Sequence, residues 1–469
     1  MSASSSARSY GSGARILSIG IASTGLLTFA YFSIASHVLG EESAKLLDVL
    51  WSVMFVIISV IYRPIEQLLS RTIAERRARG HSQRTLRVPM LIQASFALIF
   101  LVVALALHGE LVNHVFQHES ALYYVLVVGT LAYAASYFAR GWLAGHQRFG
   151  LFGGLVLMES TSRISFAIAV ALGIASGQTA VALGIAAAPF VSLVVVPVAF
   201  ASTRRDRVFA GAAITVDEAD AALAGPGTEG VQETAAHNDL SLRRGGGFAV
   251  WVSSIMLSEQ TLLNAAVLTV DATAHNGVLA GIVFNVLLIA RAPLQLFQAI
   301  QTSLLPHLTG LEATDGHEAF ARAIRVTILA IAGFATAVAL GLLAIGPFAL
   351  EHVFFGQVFN YNRFGLALIG VGMGLHLTSG ALNQAALARD RARAAAVCWV
   401  CAAVVFLVWM LSSPVSEQLL RAEIGYAGAS ALLALMLATL YRRGSRAGAG
   451  GSIQSDAGSA ASTDAAIAR

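Results

Sequence analysis

Residues 290–309 read ARAPLQLFQAIQTSLLPHLT and continue an apolar run that begins at Val278. The first half has the composition of a membrane-spanning helix, yet it contains Arg291, and prolines follow at Pro293 and Pro306. A charged side chain at bilayer depth is energetically costly, so it usually faces an internal cavity and has a function. Prolines break the backbone hydrogen-bond ladder, which a lipid-exposed straight helix would avoid. We therefore expect this stretch to line an internal site.

A similar combination of arginine and proline occurs far upstream, in the hexapeptide YRPIEQ at 62–67. The tripeptide PIE at 64–66 matches PLQ at 293–295, and LA at 143–144 matches LA at 387–388. Two matched elements in corresponding places predict a transporter built from two similar halves.

The composition indicates an integral membrane protein. The chain has 469 residues, of which 57% are hydrophobic and 12% are charged, and its mean hydropathy is +0.72. Soluble domains carry about 25% charged residues. The net charge of +4 comes from arginines that lie between apolar segments, so they are expected to orient helices and not to bind nucleic acid. Cys398 and Cys401 are the only cysteines, so no disulfide framework is expected.

Runs of about 20 apolar residues are long enough to span a bilayer as helices. Twelve such runs occur, at 16–39, 46–69, 88–107, 121–143, 151–174, 179–201, 246–270, 278–305, 323–345, 365–387, 394–411 and 422–441. We divide the chain into a disordered N-terminus (1–13), a six-helix lobe (14–202), a polar cytoplasmic linker (203–245), a second six-helix lobe (246–442) and a disordered tail (443–469).

The arginines support this count of helices. Clusters of basic residues alternate with loops that contain only Lys45, Arg363 or Arg421, as the positive-inside rule requires when both termini are cytoplasmic. Arg140, at the inner end of the run 121–143, is counted with the cations of the inner loops in this scheme. Because six is an even number, both lobes enter the membrane from the same side and form parallel repeats.

Six charged residues fall at membrane depth: Arg63, Glu66, Glu159, Arg163, Glu259 and Arg291. Glu159 and Arg163 are spaced i,i+4 and Arg63 and Glu66 i,i+3, so each couple is either a structural ion pair or part of a cavity. Arg291 has no acid nearby on its own helix, and Glu259 is its candidate partner. If the cavity is cationic, its ligand is anionic, and the planar fork of arginine suits phosphate.

The sequence favours a transporter over an enzyme. It contains no glycine-rich phosphate loop and no nucleophile elbow, and we predict no catalytic residue, cofactor or metal site. The longest outer loop, 346–364, is short for a membrane polymerase or ligase of lipid-linked sugars. That enzyme class remains an alternative, as does a multidrug or ion antiporter, which would need an acidic, aromatic-lined cavity.

Short motifs resemble those of the multidrug/oligosaccharidyl-lipid/polysaccharide exporter superfamily, in particular its polysaccharide flippase branch. They are PLxxF at 293–297, LLPxL at 304–308 and RGWLAGHQRF at 140–149. The resemblance implies an all-α fold in which two six-helix lobes surround a central cavity that opens to each side in turn. It also implies that basic residues bind a diphosphate, with Arg291, Arg63 and Arg163 as candidates.

The expected function is therefore the movement of a polyprenyl-diphosphate-linked oligosaccharide or related glycolipid across the cytoplasmic membrane. Coupling to an ion is expected to involve Glu259, Glu159 or Glu66. Peptidoglycan-precursor flippases usually have fourteen helices, so the twelve predicted here favour a polysaccharide or cell-envelope glycolipid. Expected partners are membrane lipids and polysaccharide biosynthesis enzymes, and the chain is expected to be monomeric.

The substitution Arg291→Ala tests whether this cation binds the substrate. We expect it to abolish transport, because the diphosphate would lose a cation, while membrane insertion stays intact. Transport is measured in liposomes and insertion by membrane fractionation. Unchanged transport would reject the role assigned to Arg291.

Overall fold

The computed structural model describes the backbone of residues 20, 23–28, 30–39, 41–79, 86–195, 197, 242–274, 277–314, 316–348 and 361–467. Within these ranges, side chains are not described at 41–42, 271–281, 284–285, 288–292, 295–296, 298–299, 314, 316–317 and from 444 onward. The predicted N-terminal segment 1–13 and nearly all of the predicted linker lie outside the described residues.

The described part of the chain is all-helical and contains no strand. Helix α1 comprises residues 23–28 and 30–38, and α2 has two segments that meet at Tyr62. The segments of α2 are Glu41–Ile61 and Arg63–Ala78, followed by α3 Arg87–Ala106, α4 Ser120–Gly145, α5 Phe149–Ala171, α6 Gly177–Ser192, α7 Leu242–Ala274, α8 Gly277–Thr314, α9 Gly316–Phe348, α10 Arg363–Ala388, α11 Ala392–Ser412 and α12 Gln418–Ile467. Between α3 and α4 lie a helical turn, His108–Glu110, and a π-helical turn, Leu111–Val115.

Each of the twelve predicted spans overlaps one of these helices, in the predicted order. Among the described residues, eight helices are long and apolar enough to cross a membrane, and α6 is a shorter apolar helix. The predicted fold class, an all-α membrane protein of about twelve helices in two units, is therefore confirmed. The backbone of α12 continues past Arg443 to Ile467, into the tail for which the sequence predicts disorder.

The chain divides into unit 1, Met1–Ser253, and unit 2, Ser254–Arg469. The division falls inside α7, whereas the sequence places the boundary in the preceding linker. The start of α7 packs within unit 1, because the guanidinium carbon of Arg71 lies 5.2 Å from the ring centre of Phe248. Helix α7 therefore contributes residues to both units.

Proline affects α2 and α8 differently. The second segment of α2 begins at Arg63-Pro64, where a proline in the first turn costs no hydrogen bond because that N–H would be unsatisfied anyway. Helix α8, in contrast, is continuous through both Pro293 and Pro306, so the expected breaks there are absent. Neighbouring helices and local adjustments can satisfy the carbonyl groups that a proline leaves free within the membrane.

Two glycines allow the helices of unit 1 to approach closely. A Cβ atom added to Gly141 of α4 would lie 2.8 Å from the carbonyl oxygen of Glu66 and 2.9 Å from its Cα. A Cβ at Gly184 of α6 would lie 2.9 Å from the carbonyl oxygen of Arg163. Small residues at such positions let backbones pack together in membranes. These two contacts fix the backbone of α2 and α5 at two of the predicted site residues.

Gly141→Ala is expected to destabilise the protein by about 1–3 kcal/mol, because the added methyl group meets backbone atoms that cannot move aside. The matched control is Gly154→Ala in α5, where an added Cβ meets nothing within 4 Å. Thermal unfolding of the purified protein in detergent measures both. Equal melting temperatures for the two variants would contradict the close approach of α4 to α2.

Candidate functional site

The buried carboxylate of Glu159, in α5, lies at the centre of a polar region of unit 1. Its side chain is only 3% exposed and forms an ion pair with Arg140 of α4. One carboxylate oxygen accepts hydrogen bonds from the hydroxyl of Ser136, in α4, and at 3.3 Å from that of Ser192, in α6. Two helices, α4 and α6, therefore supply the groups that neutralise and solvate this carboxylate of α5.

This arrangement corrects one interpretation of the sequence and one assignment. The i,i+4 spacing allowed an ion pair between Glu159 and Arg163, but Glu159 pairs with Arg140. Arg140, counted among the inner-loop cations, has a side chain only 13% exposed within α4. Burial explains the difference, since the carboxylate needs a charge-assisted partner on the helix that it faces. The sequence contained one indication of this pairing, because Ser136 and Arg140 are four residues apart and therefore share one face of α4.

Arg163 makes a different set of contacts. It is 3% exposed, and its guanidinium carbon lies 4.2 Å from the centre of the Trp51 ring, in α2. Nη1 donates a long hydrogen bond of 3.4 Å to the hydroxyl of Thr28, in α1. Within the described ranges, Nε has no hydrogen-bond partner and no acidic side chain forms an ion pair with Arg163. A guanidinium has five N–H donors, so Arg163 retains donors for a ligand.

Arg63 and Glu66 are also buried, at the point where the second segment of α2 begins. Three charged groups influence the carboxyl group of Glu66 electrostatically, and their effect decreases in the order Arg140, Arg63, Glu159. In the part of the chain that the structure describes, Arg63 and Glu66, which are spaced i,i+3, do not form an ion pair with each other. Arg63 is thus a second buried arginine, and it shares the carboxylate of Glu66 with Arg140.

Aromatic side chains from α2 and α4 surround these charges. The guanidinium carbon of Arg140 lies 4.5 Å from the centre of the Tyr137 ring, and Tyr137 lies 6.3 Å from Tyr133 and 6.4 Å from Tyr62. The negative face of an aromatic ring attracts a cation, so these contacts help to hold arginines away from water. The hydroxyl of Tyr62 is buried without a hydrogen-bond partner among the described residues.

We refer to Arg63, Glu66, Arg140, Glu159 and Arg163 as the buried charge cluster. Three arginines face two glutamates, which leaves one positive charge in excess. Four of the six candidate site residues predicted from the sequence are in this cluster, together with Arg140, which was not among them. Its chemistry favours an anionic group with several acceptor oxygens.

The other two candidates belong to unit 2. Glu259 is a buried residue of α7 and makes interactions there. The backbone of Arg291 belongs to α8, but its side chain lies outside the described residues. The predicted pairing of Glu259 with Arg291 stays a prediction for the same reason.

Glu159→Gln is expected to destabilise the protein by about 3–5 kcal/mol, because it leaves the Arg140 guanidinium buried without its counter-charge. The control is Glu75→Gln, which removes an exposed i,i+4 pair with Arg79 (3.0 Å) and is expected to cost less than about 1 kcal/mol. Denaturation of the protein in mixed micelles measures both. Arg140→Met combined with Glu159→Leu should recover stability relative to Glu159→Gln, and failure to recover any would contradict the pairing.

The sequence matches no protein-family model and no curated protein. Its fold, however, matches several solved transporters. One is a MOP superfamily transporter from Pyrococcus furiosus, at a TM-score of 0.72 and 13% identity, covering 93% of this chain and 95% of the other. Two others are the MATE transporter ClbM in complex with Rb⁺ (TM-score 0.71, 12% identity, 92% and 94% covered) and a multidrug resistance MATE transporter in an outward-facing conformation (TM-score 0.68, 13% identity, 92% and 94% covered). The chain therefore has the fold of the MOP superfamily transporters.

Proposed function

We propose that the protein is a membrane transporter that moves a lipid-linked sugar bearing a diphosphate across the cytoplasmic membrane. The observation that carries the proposal is the excess positive charge of the buried charge cluster, above all Arg163. Its guanidinium is buried, stacked on Trp51 and weakly hydrogen-bonded, with donors left for a ligand. A cation in this state is stabilised further by an anionic ligand that accepts several hydrogen bonds.

The choice of an anionic substrate follows from charge. A second cation entering a region that already has an excess positive charge would be repelled, and repulsion is strong where water is excluded. A diphosphate instead accepts bidentate hydrogen bonds from arginines such as Arg163 and Arg63. The carboxylate of Glu159 already forms an ion pair with Arg140 and accepts hydrogen bonds from Ser136 and Ser192, so its charge is balanced.

The comparison with solved structures supports transport as the activity class. The binding pocket of the P. furiosus transporter has reversed polarity, which suggests a different function for that protein. Pocket charge is thus a property by which proteins of this fold differ, and function is assigned from the site and not from the fold. We infer alternating access, in which the site opens to each side of the membrane in turn.

A multidrug antiporter is the second candidate. It is favoured by the multidrug resistance transporter of the same fold and by Glu66, a buried acid that forms no ion pair among the residues with described side chains. An organic cation could bind at such a carboxylate. The two candidates therefore differ in which residue of the cluster contacts the substrate, Arg163 or Glu66.

Reconstitution in liposomes with a fluorescent polyprenyl-diphosphate sugar tests the proposal. The fraction of lipid accessible to a membrane-impermeant quencher is expected to rise with time only when the protein is present. Arg163→Ala is expected to slow this movement about 10- to 150-fold, since a hydrogen bond to a charged group is worth about 1.5–3 kcal/mol. The control Arg79→Ala removes an exposed cation from the same unit and should leave the rate unchanged.

Other outcomes of this experiment have defined meanings. Efflux of cationic drugs without movement of the lipid, lost on Glu66→Gln and retained in Arg163→Ala, would replace the flippase by the antiporter. A change in the mass of the sugar lipid would indicate an enzyme. Equal rates for Arg163→Ala and Arg79→Ala would remove Arg163 from the substrate site.

A further inference from the structure

The interface between α10 and α12, in unit 2, buries side chains that can bind protons. Glu423 and His376 are each 1% exposed, and Tyr426 is fully buried. None of the three belongs to the buried charge cluster or to the acids that the sequence suggested for ion coupling. They lie within helices apolar enough to span the membrane, where polar side chains usually have a function.

Glu423 has an unusually unfavourable environment for a carboxylate. Its Oε1 atom is buried and has no hydrogen-bond partner among the described residues. The carboxylate packs on the backbone of α10, since a Cβ atom added to Gly365 would lie only 2.0 Å from Oε2. The glycine makes room for the acid, but it supplies no donor that satisfies Oε1.

The charged groups around Glu423 do not neutralise it. Arg421 is buried two residues earlier, but Nε donates to the carbonyl of Val415 at 2.8 Å and Nη1 to the hydroxyl of Ser413 at 2.8 Å. Glu417 is exposed and has the same sign of charge as Glu423. From α10, Arg363 is exposed, while α11 contributes the uncharged rings of Trp409 and Phe406, which contact Gly425. In the described ranges, Glu423 forms no ion pair.

His376 lies farther along the same interface. Its ring is stacked on Tyr426, with the centroids 6.0 Å apart, and meets Trp399 of α11 edge-on at 5.5 Å. The indole N–H of Trp399 donates to Asn383 at 3.2 Å and is therefore not directed at the histidine. Both ring nitrogens of His376 are buried without a hydrogen-bond partner among the described residues.

Tyr426 connects the two groups along the interface. It follows Glu423 by three residues, which places both side chains on the same face of α12. Its ring would also contact a Cβ atom at Gly372 of α10, at 3.0 Å from Cδ1. Glu423, Tyr426 and His376 thus follow one another from the start of α12, which the arginine pattern predicts to be the outer end, toward the middle of the membrane.

We propose that the α10–α12 interface is a proton-binding site with Glu423 as the acceptor, and that transport is coupled to protons there. The carboxylate takes up a proton from the water on the outer side and becomes a neutral acid, and it becomes a carboxylate again when it releases that proton to the inner side. An ionised carboxylate buried without a counter-charge is very costly, so binding a proton is the simplest way to neutralise it. The coupling rests on the proposed transport function, whereas the protonation does not.

A proton also fits these residues better than a multivalent metal ion. Metal sites in proteins use several carboxylate, imidazole or thiolate ligands arranged around one point. Among the described residues, no group of three or more such side chains could hold a metal ion. Glu423 moreover packs at Gly365, whereas His376 lies eleven residues farther along α10, about 16 Å along the helix axis, so they do not face a common point.

Infrared difference spectroscopy of the protein in lipid tests the protonation without any substrate. We expect a carbonyl band of a protonated carboxyl group that shifts in heavy water, disappears as the pH is raised and is absent in Glu423→Gln. The control Glu417→Gln, which changes an exposed acid near the start of α12, should retain the band. Identical difference spectra for the wild type and Glu423→Gln would overturn the proposal.

Liposome transport with and without an inward pH gradient tests the coupling. We expect the gradient to accelerate the wild type and Glu417→Gln, whereas Glu423→Gln transports downhill at equal rates with and without it. Acceleration of Glu423→Gln to the wild-type extent would contradict coupling at this site. If the wild type moves no lipid at all, the proposed function fails, while the infrared result still decides whether Glu423 binds a proton.

Discussion

The ion pair between Arg140 and Glu159 is the interaction on which unit 1 depends. Neither group could remain charged alone in a membrane interior, because water is absent and unpaired charges there are strongly destabilised. Their pairing joins α4 to α5, and the hydroxyls of Ser136 and Ser192 occupy further acceptor positions of the carboxylate. The close approaches at Gly141 and Gly184 bring the backbones of four helices near enough for these contacts.

The buried arginines of unit 1 differ in whether a carboxylate neutralises them. Arg140 is committed to Glu159, whereas Arg163 is stabilised by the Trp51 ring and by a long bond to a hydroxyl. A ring face neutralises a cation less completely than a carboxylate does, so Arg163 retains both charge and donors. The two units also differ in the sign of the buried charge that is not neutralised. The buried charge cluster of unit 1 has an excess positive charge, whereas the α10–α12 interface of unit 2 contains a carboxylate with no ion-pair partner among the described residues.

Much of the fold could be predicted from the sequence, and less of the site. All twelve helices were predicted in order, while the pairing of Glu159, the burial of Arg140 and the continuity of α8 were not. Spacing along one helix made Arg163 a possible partner of Glu159, but spacing only shows which residues can meet on that helix. Glu423 and His376 were also not predicted as site residues, since nothing in the local sequence shows that Oε1 of Glu423 and both ring nitrogens of His376 are buried without hydrogen-bond partners among the described residues.

The sequence by itself determined the number, order and apolar character of the helices. It could do so because a chain in lipid must satisfy its backbone hydrogen bonds within each segment, which makes every helix readable from about 20 local residues. Only the tertiary structure decided which buried charges neutralise one another. That choice depends on which faces of different helices meet, as when Arg140 reaches Glu159 from α4 while Arg163, on the same helix as the glutamate, turns to Trp51.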